Sequence, residues 1–344
     1  RSSDLFSKCS ELSVSDCGGL CTVDSASNTC KLNTAPADCS DRACCFALRE
    51  IQIFATGASE ITFSNGICKV ATVKPVDVYK IRQALGGKMD GDIDIDAMMQ
   101  QTGVAGSSDD LMSLNLTSMS EAASLKISPG ALNSSMGISA LTLGSDEMAS
   151  KAQRLTLGAN VHMKITGKSV IGKSGELFLD ADSDLELEDD MEVRGKLILS
   201  NSRIRRPSEL FSRFRNALRV YGEVEMGTGL SEVETDLVIQ SGGKGFLKGK
   251  GSIILSRDSS FEVEDGGELQ VEDPEQHILG SSGTSLRNRG IFKMALNKTG
   301  LSKADVLARR RHPLVVNVTL TNEEGTVDVD EGMLSLEMGF ENTG

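Results

Sequence analysis

Gly175-Glu-Leu-Phe-Leu-Asp-Ala-Asp-Ser-Asp-Leu-Glu-Leu-Glu-Asp189 lies without a gap over Gly251-Ser-Ile-Ile-Leu-Ser-Arg-Asp-Ser-Ser-Phe-Glu-Val-Glu-Asp265. Both copies run glycine, apolar stretch, polar turn, alternating strand. Shorter forms recur as Gly195-Lys-Leu-Ile-Leu-Ser200, Gly222-Glu-Val-Glu-Met226 and Gly325-Thr-Val-Asp-Val329, and Leu-Thr-Leu-Gly ends at both Gly144 and Gly158. Period-two alternation places Leu185, Leu187, Phe261, Val263, Leu269 and Val271 on one face and Glu186, Glu188, Glu262, Glu264 and Gln270 on the other. A unit that recurs over tens of residues and cannot bury its dry face alone predicts a solenoid, with the glycines at the corners.

The composition agrees. The chain has 344 residues, 35 Gly, 6 Pro, 2 Tyr, no Trp and 4% aromatics, so its core is aliphatic and its backbone rich in turns. Lys and Arg number 36 against 49 Asp and Glu, a formal charge of -13, which argues against nucleic-acid or anionic-membrane partners. No apolar run reaches the roughly 20 residues of a membrane span. All eight cysteines, Cys9, Cys17, Cys21, Cys30, Cys39, Cys44, Cys45 and Cys68, fall in the first fifth of the chain. An even set in a short polar stretch reads as a disulfide framework, its pairing left open. The rival zinc reading has only Cys17-x3-Cys21, with no histidine before His162. Sequons at Asn115, Asn133, Asn297 and Asn317 agree with a secreted glycoprotein carrying N-glycans.

The expected fold class is mainly β, with three parts. Residues 1–74 form a disulfide-rich module ending in short strands. Residues 75–105 form a helical connector and cap: Pro75 at a first turn, Val76, Val78, Tyr79, Ile81 and Leu85 as an apolar stripe, Gly86-Gly87 as a stop, and a second helical turn over Ala97 to Gln101. Residues 106–344 form the solenoid, interrupted by basic inserts near 203–217 and 302–313.

Leu286-Arg-Asn288-Arg-Gly290-Ile, Leu320-Thr-Asn322-Glu-Glu-Gly325-Thr-Val-Asp-Val329 with Gly332-Met-Leu-Ser-Leu336, and Phe340-Glu-Asn342-Thr-Gly344 follow a loose apolar-x-Asn-x-Gly style, then strand. In these residues the chain resembles the right-handed parallel β-helix, the pectin-lyase-like superfold, of the repetitive secreted surface-protein type, over about two thirds of its length. That resemblance implies architecture rather than activity, because the superfold hosts lyases, hydrolases, adhesins and passive fibres.

Candidate sites follow. Asp90, Asp92 and Asp94 stand where an EF-hand loop centred on Gly91 has ligands, but the first, third and twelfth positions are Gly86, Lys88 and Ala97. Asp182, Asp184 and Glu186, outward by alternation, are a second candidate calcium row; otherwise no cofactor is expected. The blander reading of the first is a decayed or merely similar loop, and of the second a solvated strand face. Arg203, Arg205, Arg206, Arg213 and Arg215 in one insert, and Arg309, Arg310 and Arg311 in the other, are candidate interface cations. Ser302 and Asp305 form a capping-box-like helix start, and the plainer role of both inserts is to lie on the solenoid flank, paired with its own carboxylates. His162, His277 and His312 share no motif with a nucleophile, so no catalytic residue is named. The N-terminal side carries a covering helix and module, whereas the chain stops in the opening residues of another repeat. Either the protein continues or the open end stacks on another copy. The functional expectation is therefore an extracellular or cell-surface structural protein, not an enzyme, that meets copies of itself or related subunits in a filament or coat. The alternatives are a polysaccharide lyase or hydrolase, or an adhesin.

Overall fold

The structure, a computed structural model, describes residues 21–24, 27–32, 59–64, 67–102, 111–117, 122–147, 150–207, 216–273, 275–296, 302–330 and 332–343. The chain divides into two compact units, residues 1–75 with 103–113, and residues 76–102 with 114–344. In the first, Cys21–Asp24 pairs antiparallel with Thr29–Leu32 around Asn28, whose φ is 49°. Ser59–Ser64 pairs antiparallel with Ile67–Pro75, and Val73 to Pro75 run parallel to Leu111 to Ser113. Cys68 is buried and disulfide-bonded. Cys9, Cys17, Cys39, Cys44 and Cys45 lie outside the described residues, as do the side chains of Cys21 and Cys30.

The second unit is a parallel β-solenoid of about nine turns. One turn runs Gly175–Leu179 on face I, Asp184–Leu187 on face II and Met191–Val193 on face III before returning to face I as Lys196–Leu199. Face I is a ten-stranded parallel sheet from Asp90–Asp94 to Thr326–Val329. The long strand Ser135–Leu143 bends through the corner between the other two faces, pairing with His162–Ile165 at its start and with Val170 and Ile171 at its end. Alternation is the reason these segments are strands: Gly175–Leu179 and Asp184–Leu187 bury every second residue. Parallel register then stacks like on like, so that Leu125, Leu155, Leu177, Leu197 and Val224 form one inner row, each fully buried.

The internal repeat has a different meaning from that expected. Gly175–Leu179 lies on face I but Gly251–Leu255 on face II, and their following strands, Asp184–Leu187 and Ser260–Val263, lie on faces II and III. The copies are one face out of step. Each face makes the same demand, an apolar residue inward at every second position and then a corner, so a strand-corner-strand unit serves at any of the three.

The corners use different chemistry. Between faces I and II, Asn160, Asp182, Asn201 and Gly229 adopt positive φ of 63°, 58°, 49° and 97°, the left-handed conformation that Asn, Asp and Gly tolerate best. Between faces III and I, Gly144, Gly242 and Gly266 take positive φ of 72°, 80° and 75°, and other glycines there serve close approach. Gly175, Gly195 and Gly222 stack coil on coil, and a Cβ on Gly222 would overlap the carbonyl oxygen of Gly195.

Two short helices, Val78–Ala84 and Ile95–Thr102, flank the first strand of face I and bury Ile81, Ile95 and Met98 completely. The strand Ile67–Pro75 runs through Pro75, so the helix does not start there. Asp77 supplies the cap, its carboxylate accepting from the Lys80 amide at 3.1 Å, and Gly86 and Gly87 with φ of 73° and 90° end the helix as expected. A third helix, Lys303–Arg309, stands on the capping box read from the sequence, with Ser302 and Asp305 satisfying each other's backbone amides.

Candidate functional site

The outward face I residues form a ladder of alternating charge. Arg154, Glu176, Lys196, Glu223, Lys244 and Glu268 are successive register neighbours on adjacent coils. Arg154 lies 3.2 Å from Glu176, Lys196 3.8 Å from Glu223, and Lys244 3.9 Å from Glu268. Each of the four inner side chains has an opposite charge above and below, which favours the native register over a slipped one. Two residues on, the outward row contains Phe178, Ile198, Glu225 and Phe246. Arg154 lies over the Phe178 ring at 5.3 Å and Lys248 over the Phe246 ring at 4.7 Å, both cation–π contacts. Burial alone pushes Glu225 up, but the hydrogen bonds from Lys248 and Lys196 outweigh it and hold the carboxyl below its ordinary range.

Faces II and III repeat the pattern. His162, Asp184, Arg203 and Glu232 are consecutive in one outward row, with Lys164, Glu186 and Arg205 beside them. Asp184 receives Arg203 at 3.5 Å and Arg205 at 3.4 Å, and Lys164 reaches Glu186 at 3.6 Å and Glu188 at 2.7 Å. On face III, Glu192 pairs in register with Arg219 and Glu262 with Arg287.

Two corner clusters stand apart from the ladders. Arg194 bridges Asp146 at 2.5 Å and Glu192 at 2.7 Å, and its hydrogen bond holds the Asp146 carboxyl down while the two carboxylates push the guanidinium up. With Lys173 and the partly exposed Tyr221, Arg194 and Glu192 line an open cavity of about 400 Å³. In the other cluster, burial raises the Glu234 carboxyl above its ordinary range despite Arg257 at 3.2 Å, and the Arg206 amide donates to it at 3.3 Å. Arg206 and Arg257 each donate to the other's backbone carbonyl.

Inside face III, one row changes character along the axis. Val193, Val220, Ile239 and Val263 give way to Asn288, Asn322 and Asn342. Asn288 Nδ2 donates to Asn322 Oδ1 at 2.7 Å and Asn322 Nδ2 to Asn342 Oδ1 at 3.0 Å, so three of the residues behind the sequence resemblance form one hydrogen-bonded stack. Asn288 Oδ1 is buried and has no hydrogen-bond partner.

The expected site residues are dispersed. Asp90, Asp92 and Asp94 lie on a strand paired to Ala123–Ser128, not on a loop; Asp92 accepts from Ser128 Oγ at 2.6 Å and Asp94 caps the Ala97 amide at 2.7 Å. A strand spaces alternate carboxylates about 6.6 Å apart instead of folding them around one point. Asp182 sits at a corner, whereas Asp184 and Glu186 are paired with cations. Among the described residues no three His, Cys, Asp or Glu side chains are grouped to hold a metal ion. Arg203 and Arg205 belong to a regular face II strand rather than an insert, and Arg309 is held by Asp273 at 2.8 Å. Arg310 is the C-cap of the last helix and Arg311 is exposed, whereas Arg213 and Arg215 lie outside the described residues. Asn115 is exposed with its Oδ1 bound by Thr117, Asn133 donates through Nδ2 to Asp96 at 2.6 Å, Asn317 is half-buried, and Asn297 lies outside the described residues. Sequence reading missed the inter-coil ladders, although their signal, a charge of alternating sign one residue after each corner glycine, stands in Gly175-Glu176, Gly195-Lys196, Gly222-Glu223, Gly243-Lys244 and Gly267-Glu268.

No helix among the described residues is long and apolar enough to cross a membrane. Comparison of the chain with protein-family models, curated proteins and solved structures finds no match.

Proposed function

We propose that the chain is a secreted structural protein, a self-associating subunit of an extracellular filament or surface coat. The observation that carries this reading is the use of outward charge. It is spent coil against coil, in alternating rows on faces I and II and in separate pairs on face III, which hold the coils in register. The eight cysteines near one end and the disulfide at Cys68 support an oxidising compartment. Sedimentation velocity over a concentration series at low salt, with negative-stain electron microscopy, tests the reading. Elongated assemblies that grow with concentration are expected; a compact monomer throughout would overturn it.

The corner cavity favours a second reading, in which Tyr221 stacks against a sugar ring beside the Glu192 and Asp146 carboxylates. Incubation with polyuronates and calcium tests for a lyase or hydrolase, and the absence of released product removes it.

A further inference from the structure

The face I ladder has a symmetry that its register makes exact in sign. Six residues alternate positive and negative, beginning with Arg154 and ending with Glu268. An alternating row of even length becomes its own complement when read backwards. A second copy laid against face I with its axis reversed, centred between the Lys196 and Glu223 coils, therefore sets Arg154 opposite Glu268, Glu176 opposite Lys244, and Lys196 opposite Glu223, each pair occurring twice. A copy laid parallel and in step sets like against like, and a reversed copy slipped by one coil does the same.

The neighbouring outward row supplies an independent match about the same centre. Phe178 shares a coil with Glu176 and Phe246 shares a coil with Lys244, so the reversed copy brings each Phe178 against the partner's Phe246, while between them Ile198 meets Glu225, a carboxylate held within its own chain by Lys196 and Lys248. Both rings are half-buried and already lie under a cation. Farther out the register meets like charges, Lys126 against Lys293 and Asp92 against Asp328; the two lysines are held by their own chain's carboxylates, Asp180 for the first and Asp328 and Asp330 for the second. The analogous face II row, His162 to Glu232, spans four residues and carries no such aromatic pair.

We propose that face I is a homotypic docking surface, on which two copies pack antiparallel about a two-fold axis along the strands, between the coils of Lys196 and Glu223. This rests on the self-association proposed above and assigns it a face, a direction and a register. The partner is a second copy of this chain, because the charge pattern that fits the row is the row itself reversed.

Zero-length carbodiimide cross-linking of the full chain, as an equal mixture of unlabelled and isotopically labelled protein, reads the register without any substitution. Glu176 and Lys244 are three coils apart within one chain, about 14 Å, beyond the reach of a direct amide. A mixed-label Glu176–Lys244 peptide is therefore expected, and its absence from assemblies that sedimentation shows to exist would overturn the face I assignment while leaving self-association standing. A monomer at every concentration would overturn both. A charge swap gives the second readout. Glu176→Lys alone and Lys244→Glu alone each set like charges opposite one another twice in a symmetric pair, so each weakens association by at least about tenfold. An equal mixture of the two restores opposite charges at both places and recovers wild-type association to within about threefold. Failure of the mixture to recover, with both variants folded by circular dichroism, would refute the register.

Discussion

Gly222 shows how much a single position carries at a corner where successive coils touch through backbone. Its missing side chain leaves room for the Gly195 carbonyl, and the same contact recurs between Gly195 and Gly175. Gly222→Ala is expected to cost about 2 kcal/mol in denaturant unfolding, because two backbones must separate to admit one methyl group; an unchanged midpoint would contradict the stacked corner. The glycines were plain in the sequence as the head of each repeat, but a turn requiring positive φ and a close approach look alike there. Glu234 was not legible at all. Beside it Arg206 and Arg257, 51 residues apart, clasp each other across the corner and both reach its carboxylate. Burial favours the neutral acid, so Glu234 opposes folding as pH rises through its ordinary range toward its raised folded value. Glu234→Gln keeps an acceptor for the Arg206 amide, removes the desolvated charge, and should leave stability at neutral pH undiminished, as thermal denaturation can check.

At the scale of elements, caps are the most local signals, and one was legible while another, Asp77, was passed over for Pro75. Ser302 and Asp305 sit in the capping box that their spacing indicates, although the helix they start, Lys303–Arg309, buries none of its side chains. Ser302→Ala should weaken that helix by about 1 kcal/mol, accelerating amide exchange over residues 303–309 while the global unfolding midpoint stays in place. Loss of global stability would mean that the helix supports the column more than its exposure indicates. Asp90 to Asp94 shows the opposite case. The run has carboxylates at the spacing of a calcium loop, and it is a strand because Ala123–Ser128 offers it a complete parallel ladder. A partner some thirty residues away outweighed a local pattern.

Across the whole molecule, stability is shared among neighbouring coils, each resting on the next. The hydrogen bond from Arg194 lowers the Asp146 carboxyl, that from Lys250 lowers Glu275, and the lysines around Glu225 leave it lowered despite its burial. A carboxyl lowered in the fold contributes stability present above its unfolded value, near pH 4, and lost as pH falls through its folded value. The thermal midpoint should therefore drop between about pH 5 and about pH 3, only partly offset by Glu234, which acts with the opposite sign. A flat midpoint over that interval would show that these ion pairs add no net stability. Alternation, corner glycines and caps were decided by the sequence itself, because each depends on residues a few positions apart. The face on which each repeat lies, the cations that meet each carboxylate, and the Asn288, Asn322 and Asn342 stack were decided only by tertiary structure, because all three faces place the same local demand on the chain and only coil-on-coil register tells them apart.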